Sequence, residues 1–410
     1  MTFSKRHFTH MPDSIVNIGV AGLGRAFTLM LPTFLADARV RLVAATDSRP
    51  EAGARFAGQF DALLYPDVAS MCADPHVDLV YIATPHQWHA EHVRIAAAHG
   101  KHVLVEKPMA ISIAECRAMV DATRAAGVHL IVGHSHSFDP AYLRARAIVE
   151  SGTLGAVRMV TAQYFTDFLY RPRRPEELDT AQGGGVVFSQ AAHQIDIVRL
   201  LAGGMATTVR AQCGAWDPAR PTEGAYGALI GFAGGAFASV VYSGYGHFDG
   251  DEMCDWIGES GVPKDPAVYR SGRARLAGVE DAASEARLKA ARNFGGAQYV
   301  EGPGGGPRHH QHFGHVLVCC DRGDLKPGPR SVTIYGDAAR TVEDLPAADV
   351  PRREVIDEVC AAVLHGVAPL HDGAWSLATL EVCLAMLESA RSGREIVLER
   401  QVAPRRMVVR

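Results

Sequence analysis

The segment Val16-Asn17-Ile18-Gly19-Val20-Ala21-Gly22-Leu23-Gly24-Arg25-Ala26 constrains this chain more than any other. It is an apolar run that breaks at closely spaced glycines and then takes on a helical pattern. A strand that feeds a helix through a glycine turn presents backbone N–H groups and a helix N-terminus, an arrangement that cradles the diphosphate of a dinucleotide. Gly22-x-Gly24 permits the tight turn and the close approach of backbone to phosphate. Phe27 stands where a third glycine is usual, so the motif is incomplete, and alone it also fits an ordinary strand-to-helix turn. Context strengthens it. The next apolar strand, 40–46, ends at Asp47, at a separation suited to a ribose-binding acid. Asp47 would accept hydrogen bonds from both ribose hydroxyls and repel a 2′-phosphate, which favours NAD. Arg49 would clamp such a phosphate, so NADP stays open.

From 15 to about 135 apolar strands alternate with amphipathic helices: strands at 77–83, 101–105 and 128–132, helices at 87–98 and 112–126. Such runs imply a parallel sheet covered on both faces. The strand 101–105 runs into Glu106-Lys107-Pro108, a strand-end lysine held by a proline, placed where a nicotinamide ring would lie. With 410 residues the chain is too long for one ordinary core. The reading is a nucleotide-binding domain at 1–138 and a second domain at 139–410.

The second domain reads as α+β. Strands at 155–165, 207–216, 226–232 and 236–242 form one antiparallel sheet, with a helix at 183–201 and late helices at 354–365 and 374–391. An insertion at about 247–315 carries a charged helical pattern, 273–292, and the run Gly302-Pro303-Gly304-Gly305-Gly306-Pro307. It fits a lid or subunit contact and a flexible surface excursion equally well.

A formal net charge of -4 without blocks of like charge argues against nucleic acid and membrane surfaces as partners. No apolar stretch is long enough to span a bilayer. The start, Met1 to Phe8, lacks the apolar core of a signal peptide, and Met11 would serve as an alternative start. The 8 cysteines are scattered without a C-x-x-C pair. A reducing cytoplasm is the expected location, and Cys319-Cys320, in an apolar run, read as buried thiols.

Ala83-Thr84-Pro85-His86-Gln87-Trp88-His89, followed by Gly100-Lys101-His102-Val103-Leu104-Val105-Glu106-Lys107-Pro108, resembles the glucose–fructose oxidoreductase / inositol dehydrogenase / MocA (Gfo/Idh/MocA) family over nearly the whole chain apart from the insertion. The resemblance implies an α/β Rossmann domain plus an α+β domain with an open-faced, mainly antiparallel sheet, and NAD(P) between them. It implies a homodimer or homotetramer that covers the open sheet. The cofactor set would be Gly22, Gly24, Arg25, Ala26, Asp47, Ser48, Arg49, Thr84, Pro85, His89, Glu106 and Lys107, with Lys107 also touching the substrate hydroxyl.

In Gly183-Gly184-Gly185-Val186-Val187-Phe188-Ser189-Gln190-Ala191-Ala192-His193-Gln194-Ile195-Asp196, His193 matches the family's catalytic base. The family's sugar and cyclitol dehydrogenases carry an aspartate four positions earlier, where this chain has Ser189. Without that carboxylate His193 should be a weaker base and less firmly oriented. Lys107 and His193 are the catalytic pair, and which of them accepts the proton stays open. Asp196 reads as structural, paired with a cation or a backbone group.

Substrate contacts are expected from His134 and His136, from Ser189, Gln190 and His193, and from Arg171, Arg173 and Arg174, three arginines fixed by two prolines. Guanidinium forks suit a small anionic cyclic substrate, above all a dicarboxylate; equally, the arginines would pair with Glu176, Glu177 and Asp179 in solvent. The histidines of Arg308-His309-His310-Gln311-His312-Phe313-Gly314-His315 lack a completing carboxylate or cysteine, so no metal is expected and plain surface histidines are favoured. One reaction needs little help from a base: NAD-dependent oxidation of a cyclic cis-dihydrodiol, driven by aromatisation. The chain also resembles the phthalate 4,5-cis-dihydrodiol dehydrogenase branch, which would oxidise cis-4,5-dihydroxy-4,5-dihydrophthalate to 4,5-dihydroxyphthalate. The alternatives are a sugar or inositol dehydrogenase and a catalytically silent NAD(P)-binding regulator.

Overall fold

The computed structural model describes residues 15–268, 271–300 and 308–405. The N-terminal residues, with the alternative start at Met11, and the glycine–proline run 302–307 lie outside the described residues.

The first sheet contains Val16–Ala21 (β1), Val40–Thr46 (β2), Leu63–Leu64 (β3), Leu79–Ile82 (β4), His102–Val105 (β5) and Leu130–Val132 (β6). Its order is β3-β2-β1-β4-β5-β6, with every pair parallel. β4 and β6 are buried along their whole length, as strands covered on both faces must be. Gly22 turns the chain out of β1 with φ +92°, and a Cβ there would stand 3.0 Å from the Ala83 carbonyl and the Thr84 nitrogen. Both facts require glycine. The helix Arg25–Ala36 follows.

The second sheet contains Val157–Phe165 (β7), Ala206–Gly214 (β8), Ala225–Phe232 (β9), Phe237–Ser243 (β10), His315–Cys320 (β11), Gly323–Pro327 (β12), Ser331–Gly336 (β13), Arg340–Asp344 (β14) and Ile396–Val397 (β15). The order is β14-β13-β12-β11-β7-β10-β9-β8-β15, and all pairs are antiparallel except β7 with β10. Helices Ala192–Ala202 and Gly373–Ser392 cover one face. The other face leaves Leu229, Phe237 and Val342 exposed. No helix among the described residues is long and apolar enough to cross a membrane.

Four features differ from the sequence reading. The hairpins β11–β14 extend the sheet where no strands were expected; β12 and β14 are half-exposed and carry little apolar alternation. Cys319 and Cys320, at the end of β11, are only half-buried, and all eight cysteines are free. The segment 183–201 is not one helix. Gly183 and Gly185 take φ +79° and +82°, a π-helical turn follows at Val187–Ala191, and the α-helix starts only at Ala192. The insertion is not a loose surface excursion. Its helix Ala282–Ala290 is tied to the second domain by the buried pair Glu285–Arg220 (2.7 Å), and Phe294 is buried among Phe27, Phe56 and Phe60 of the first domain.

The C-terminal helix Arg353–His365 also returns to the first domain, where Val355, Ile356 and Val359 join the core beneath β1. At the domain junction, Asp196 accepts hydrogen bonds from the hydroxyls of Ser137 and Thr379 and from the Trp375 indole. It is structural, as expected, but its partners are neutral side chains. Asp196→Ala strands three buried donors and should cost about 2–4 kcal/mol, read as a melting temperature lower by several degrees; an unchanged melt would show that these bonds contribute nothing.

Candidate active site

A cavity of about 840 Å³ lies between the two sheets. Gly24, Arg25 and Ala26 border one end, Lys107 and His193 the middle, and the arginine loop and insertion the far side. Thr84, Pro85, His89 and Glu106 also face it.

Lys107 lies just beyond β5, half-buried against the π-helical turn. Its Nζ donates to the Ser189 carbonyl at 2.7 Å. Burial pushes its pKa down to about 8, partly opposed by Glu106 and Glu259 and reinforced by Arg352 and Arg173. Glu106 lies behind it, accepting from the Tyr81 hydroxyl at 2.6 Å, and burial raises its pKa. The Ser189 hydroxyl donates to the Gly185 carbonyl, so the side chain is spent inside its own turn and the residue serves the site through its carbonyl. Gln190 accepts from the Tyr242 hydroxyl at 3.3 Å.

His193 is firmly oriented, contrary to expectation. The backbone N–H of His136 donates to its Nδ1 at 3.3 Å, and its ring packs against His136 and Phe313. Burial drives its pKa well down, reinforced by Lys107 and His136. A neutral ring whose Nδ1 accepts must carry its hydrogen on Nε2. His193 therefore offers a donor, and Lys107 is the group with an amine poised to accept a proton near neutral pH.

His134 and His136 flank a buried carboxylate. Asp139 accepts from His136 Nδ1 at 2.7 Å and faces His134 Nε2 at 3.1 Å. Burial opposes charge on His136, but Asp139 and Glu259 outweigh it and raise its pKa. Burial pushes His134 down to about 3. Among the described residues these three form the one cluster with ligand atoms close enough for a metal, all within 4.8 Å, yet each carboxylate oxygen already faces an imidazole nitrogen. His312, from the histidine-rich run, is not a surface group: it is buried, with Nε2 against the Ile257 carbonyl at 2.7 Å.

The three loop arginines part company. Arg171 is held by Asp167 at 2.9 Å and Glu259 at 3.4 Å. Arg174 is held by Glu176 at 3.1 Å and Glu177 at 3.4 Å, as the solvated-loop reading expected. Arg173 stacks on Phe168 at 3.5 Å and donates to the Phe168 carbonyl, with its nearest acid, Glu177, at 3.8 Å. Its Nε is buried without a partner. Burial pushes its pKa down to about 10. It is the loop arginine with capacity left for a carboxylate.

At the nucleotide end, Gly22, Asp47, Ser48 and Arg49 lie beyond the cavity lining. Asp47 accepts the Leu23 N–H at 2.6 Å and the Arg49 backbone and Nε at 2.8 and 3.0 Å. Arg49 also donates to the Leu23 and Phe294 carbonyls at 2.8 and 3.2 Å, so it braces the glycine turn instead of presenting a free phosphate clamp. Ser48 is exposed. His89 is buried with its nitrogens facing the Thr84 and Pro108 carbonyls at 2.9 and 3.1 Å. Burial outweighs those carbonyls and pushes it down to about 4; it ties two cofactor loops together. The glycine turn and the adjoining Arg25, which has no acidic partner among the described residues, fit a dinucleotide diphosphate.

The sequence reading missed Glu259. It reaches the site from Trp256-Ile257-Gly258-Glu259, with its carboxylate 3.6 Å from His136 Nε2 and 3.4 Å from Arg171. Burial would raise its pKa, but His136 and Arg171 hold it well below the usual carboxylate range. Its approach to His136 is set by the fold and not by any spacing in the sequence.

Residues 16–134 match the Gfo/Idh/MocA oxidoreductase family, NAD-binding Rossmann fold, and residues 142–262 match its C-terminal domain. A 1-carboxy-3-chloro-3,4-dihydroxycyclohexa-1,5-diene dehydrogenase from Comamonas testosteroni is 46% identical over 92% of this chain and 95% of its own length. A solved structure from Bordetella bronchiseptica RB50 is 41% identical, with a TM-score of 0.87 over 93% of this chain and 100% of that one. A levoglucosan dehydrogenase solved with NADH and levoglucosan shares the fold, with a TM-score of 0.70 at 20% identity over 94% of this chain and 99% of that one. The chain belongs to the Gfo/Idh/MocA oxidoreductase family and carries its NAD-binding Rossmann fold.

Proposed function

We propose that this NAD(P)-dependent dehydrogenase oxidises a carboxylated cyclic cis-dihydrodiol to the aromatic diol with NAD, and that cis-4,5-dihydroxy-4,5-dihydrophthalate is its substrate. One observation carries the reading: a half-buried lysine whose pKa is pushed down to about 8 shares a cavity with Arg173, whose buried Nε lacks a partner. The relative from Comamonas testosteroni supports it, since its name describes a ring with a carboxylate and a vicinal diol.

The nicotinamide of bound NAD supplies the hydride acceptor. Lys107 takes the hydroxyl proton as the carbinol C–H bond breaks with its electron pair. His193 Nε2–H donates to the same oxygen and steadies its developing charge. The ring ketone left behind loses the proton on the neighbouring carbinol carbon and gains one at oxygen, which makes the ring aromatic. The sum is a diol converted to an aromatic diol, one hydride transferred and one proton released. The aromatic product supplies the driving force, so the site needs no carboxylate beside His193. A sugar substrate lacks that advantage.

The first test is NADH formation with the phthalate dihydrodiol, with its monocarboxylate analogues and with myo-inositol. Turnover with inositol alone would overturn the reading, and so would NADH binding without turnover of any dihydrodiol.

Lys107→Ala should lower turnover about a thousandfold while NADH still binds; retained turnover would remove Lys107 from the chemistry. The amine must be neutral to accept a proton, so kcat/KM should climb as pH rises through about 8. Lys107→Arg should abolish that limb. Arg173→Gln should raise KM for the carboxylated diol about tenfold or more with kcat little changed. A cis-dihydrodiol without a carboxylate should not register that substitution.

A further inference from the structure

The insertion carries two groups with no evident task in the fold. Arg292 borders the same cavity as Gly24 and Arg25, and its guanidinium has no hydrogen-bond or acidic partner among the described residues. Arg25, in the first turn of the helix after the glycine turn, has only the Thr28 hydroxyl, at 3.3 Å. Burial lowers the tendency of Arg25 to hold its charge, reinforced by Arg292 and Arg352, and both Arg25 and Arg292 border the cavity. Next to Arg292 in sequence stands Asn293, which also borders the cavity and whose side-chain oxygen is buried without a partner.

These groups are held in place, not swung past by a loose loop. Phe294 is fully buried, its ring 5.4 Å from Phe27 and 6.2 Å from Phe56. Arg49 donates to its carbonyl, and the same guanidinium donates to the Leu23 carbonyl inside the glycine turn. The insertion is thereby fastened to the turn itself, with Arg292 two residues from the anchor. Two arginines facing each other without an acid between them are unfavourable unless an anion joins them.

We propose that Arg292 and Arg25 grip the cofactor diphosphate from opposite sides, with Asn293 accepting a ribose hydroxyl, so that the insertion forms an outer wall of the nucleotide site. The inference rests on the family's NAD-binding fold and not on the diol. In the empty protein the arginines repel; with the diphosphate between them the strap and the glycine turn are drawn together.

The test uses ADP-ribose, which carries the diphosphate without the nicotinamide, and adenosine, which carries neither. Binding is measured by calorimetry on the full chain. Arg292→Gln should weaken ADP-ribose about tenfold or more and leave adenosine unchanged, with Arg292→Lys in between. Arg25→Gln should act in the same direction, and the double variant should lose less than the product of the two single losses, because both arginines hold one group. Wild-type ADP-ribose affinity in Arg292→Gln would overturn the proposal. Equal losses for ADP-ribose and adenosine would also overturn it, since that pattern reports a displaced strap. A wild-type protein that binds neither ADP-ribose nor NADH would overturn the cofactor reading itself, whereas a wrong diol substrate leaves every one of these results untouched. A melting temperature without ligand, unchanged in Arg292→Gln, separates lost contact from lost fold.

Discussion

The site depends on keeping an amine out of water. Lys107 sits at the end of β5 with the second domain closed over it, and the one carbonyl it reaches, that of Ser189, comes from a helix that makes a π-helical turn at that point. An ammonium in such surroundings loses far more hydration than one hydrogen bond returns, so the neutral base becomes accessible near physiological pH. The glycines at 183 and 185, the π turn and the packing of the Ala192–Ala202 helix all serve to deliver that carbonyl.

Around the amine the charges are arranged in layers. Asp139 and Glu259 share His136, Asp167 and Glu259 share Arg171, and Glu177 serves both Arg174 and Lys289. Arg173 is left over. A pocket that satisfies most of its cations internally and leaves one short of acceptors discriminates by charge without carrying a large net positive field. Glu259 adds a second consequence. Its carboxylate stands beside Arg171, so any anion that used Arg171 would have to displace it.

What was legible in the sequence was local. The strand, the glycine turn and Asp47 lie within one supersecondary unit, and Glu106-Lys107-Pro108 ends a strand whose apolar run is unmistakable. His193 was found by its place in a motif. What depended on distance through space was not legible. Nothing in the sequence near Asp47 announces that Arg49 and the Leu23 N–H would occupy it. Arg171 and Glu259 are 88 residues apart, and their pairing is what separates Arg171 from Arg173. The π turn has no composition of its own, and β12 and β14 are too polar and too short to show a clean two-residue period. The tautomer of His193 was invisible because it is fixed by a backbone N–H.

The return of late segments to the first domain has a consequence for how the chain comes into being. The parallel sheet is complete by Val132, yet its hydrophobic core is not: Phe294 fills the space between the helices near the glycine turn, and Val355, Ile356 and Val359 cover β1. A ribosome that has released only the first domain has therefore released a sheet with an uncovered apolar flank. That flank waits through the synthesis of more than half the polypeptide before its cover emerges. The nucleotide-binding half cannot be an early, self-sufficient folding unit, and a truncated first domain made alone would expose the surface that Phe294 and the Arg353–His365 helix conceal.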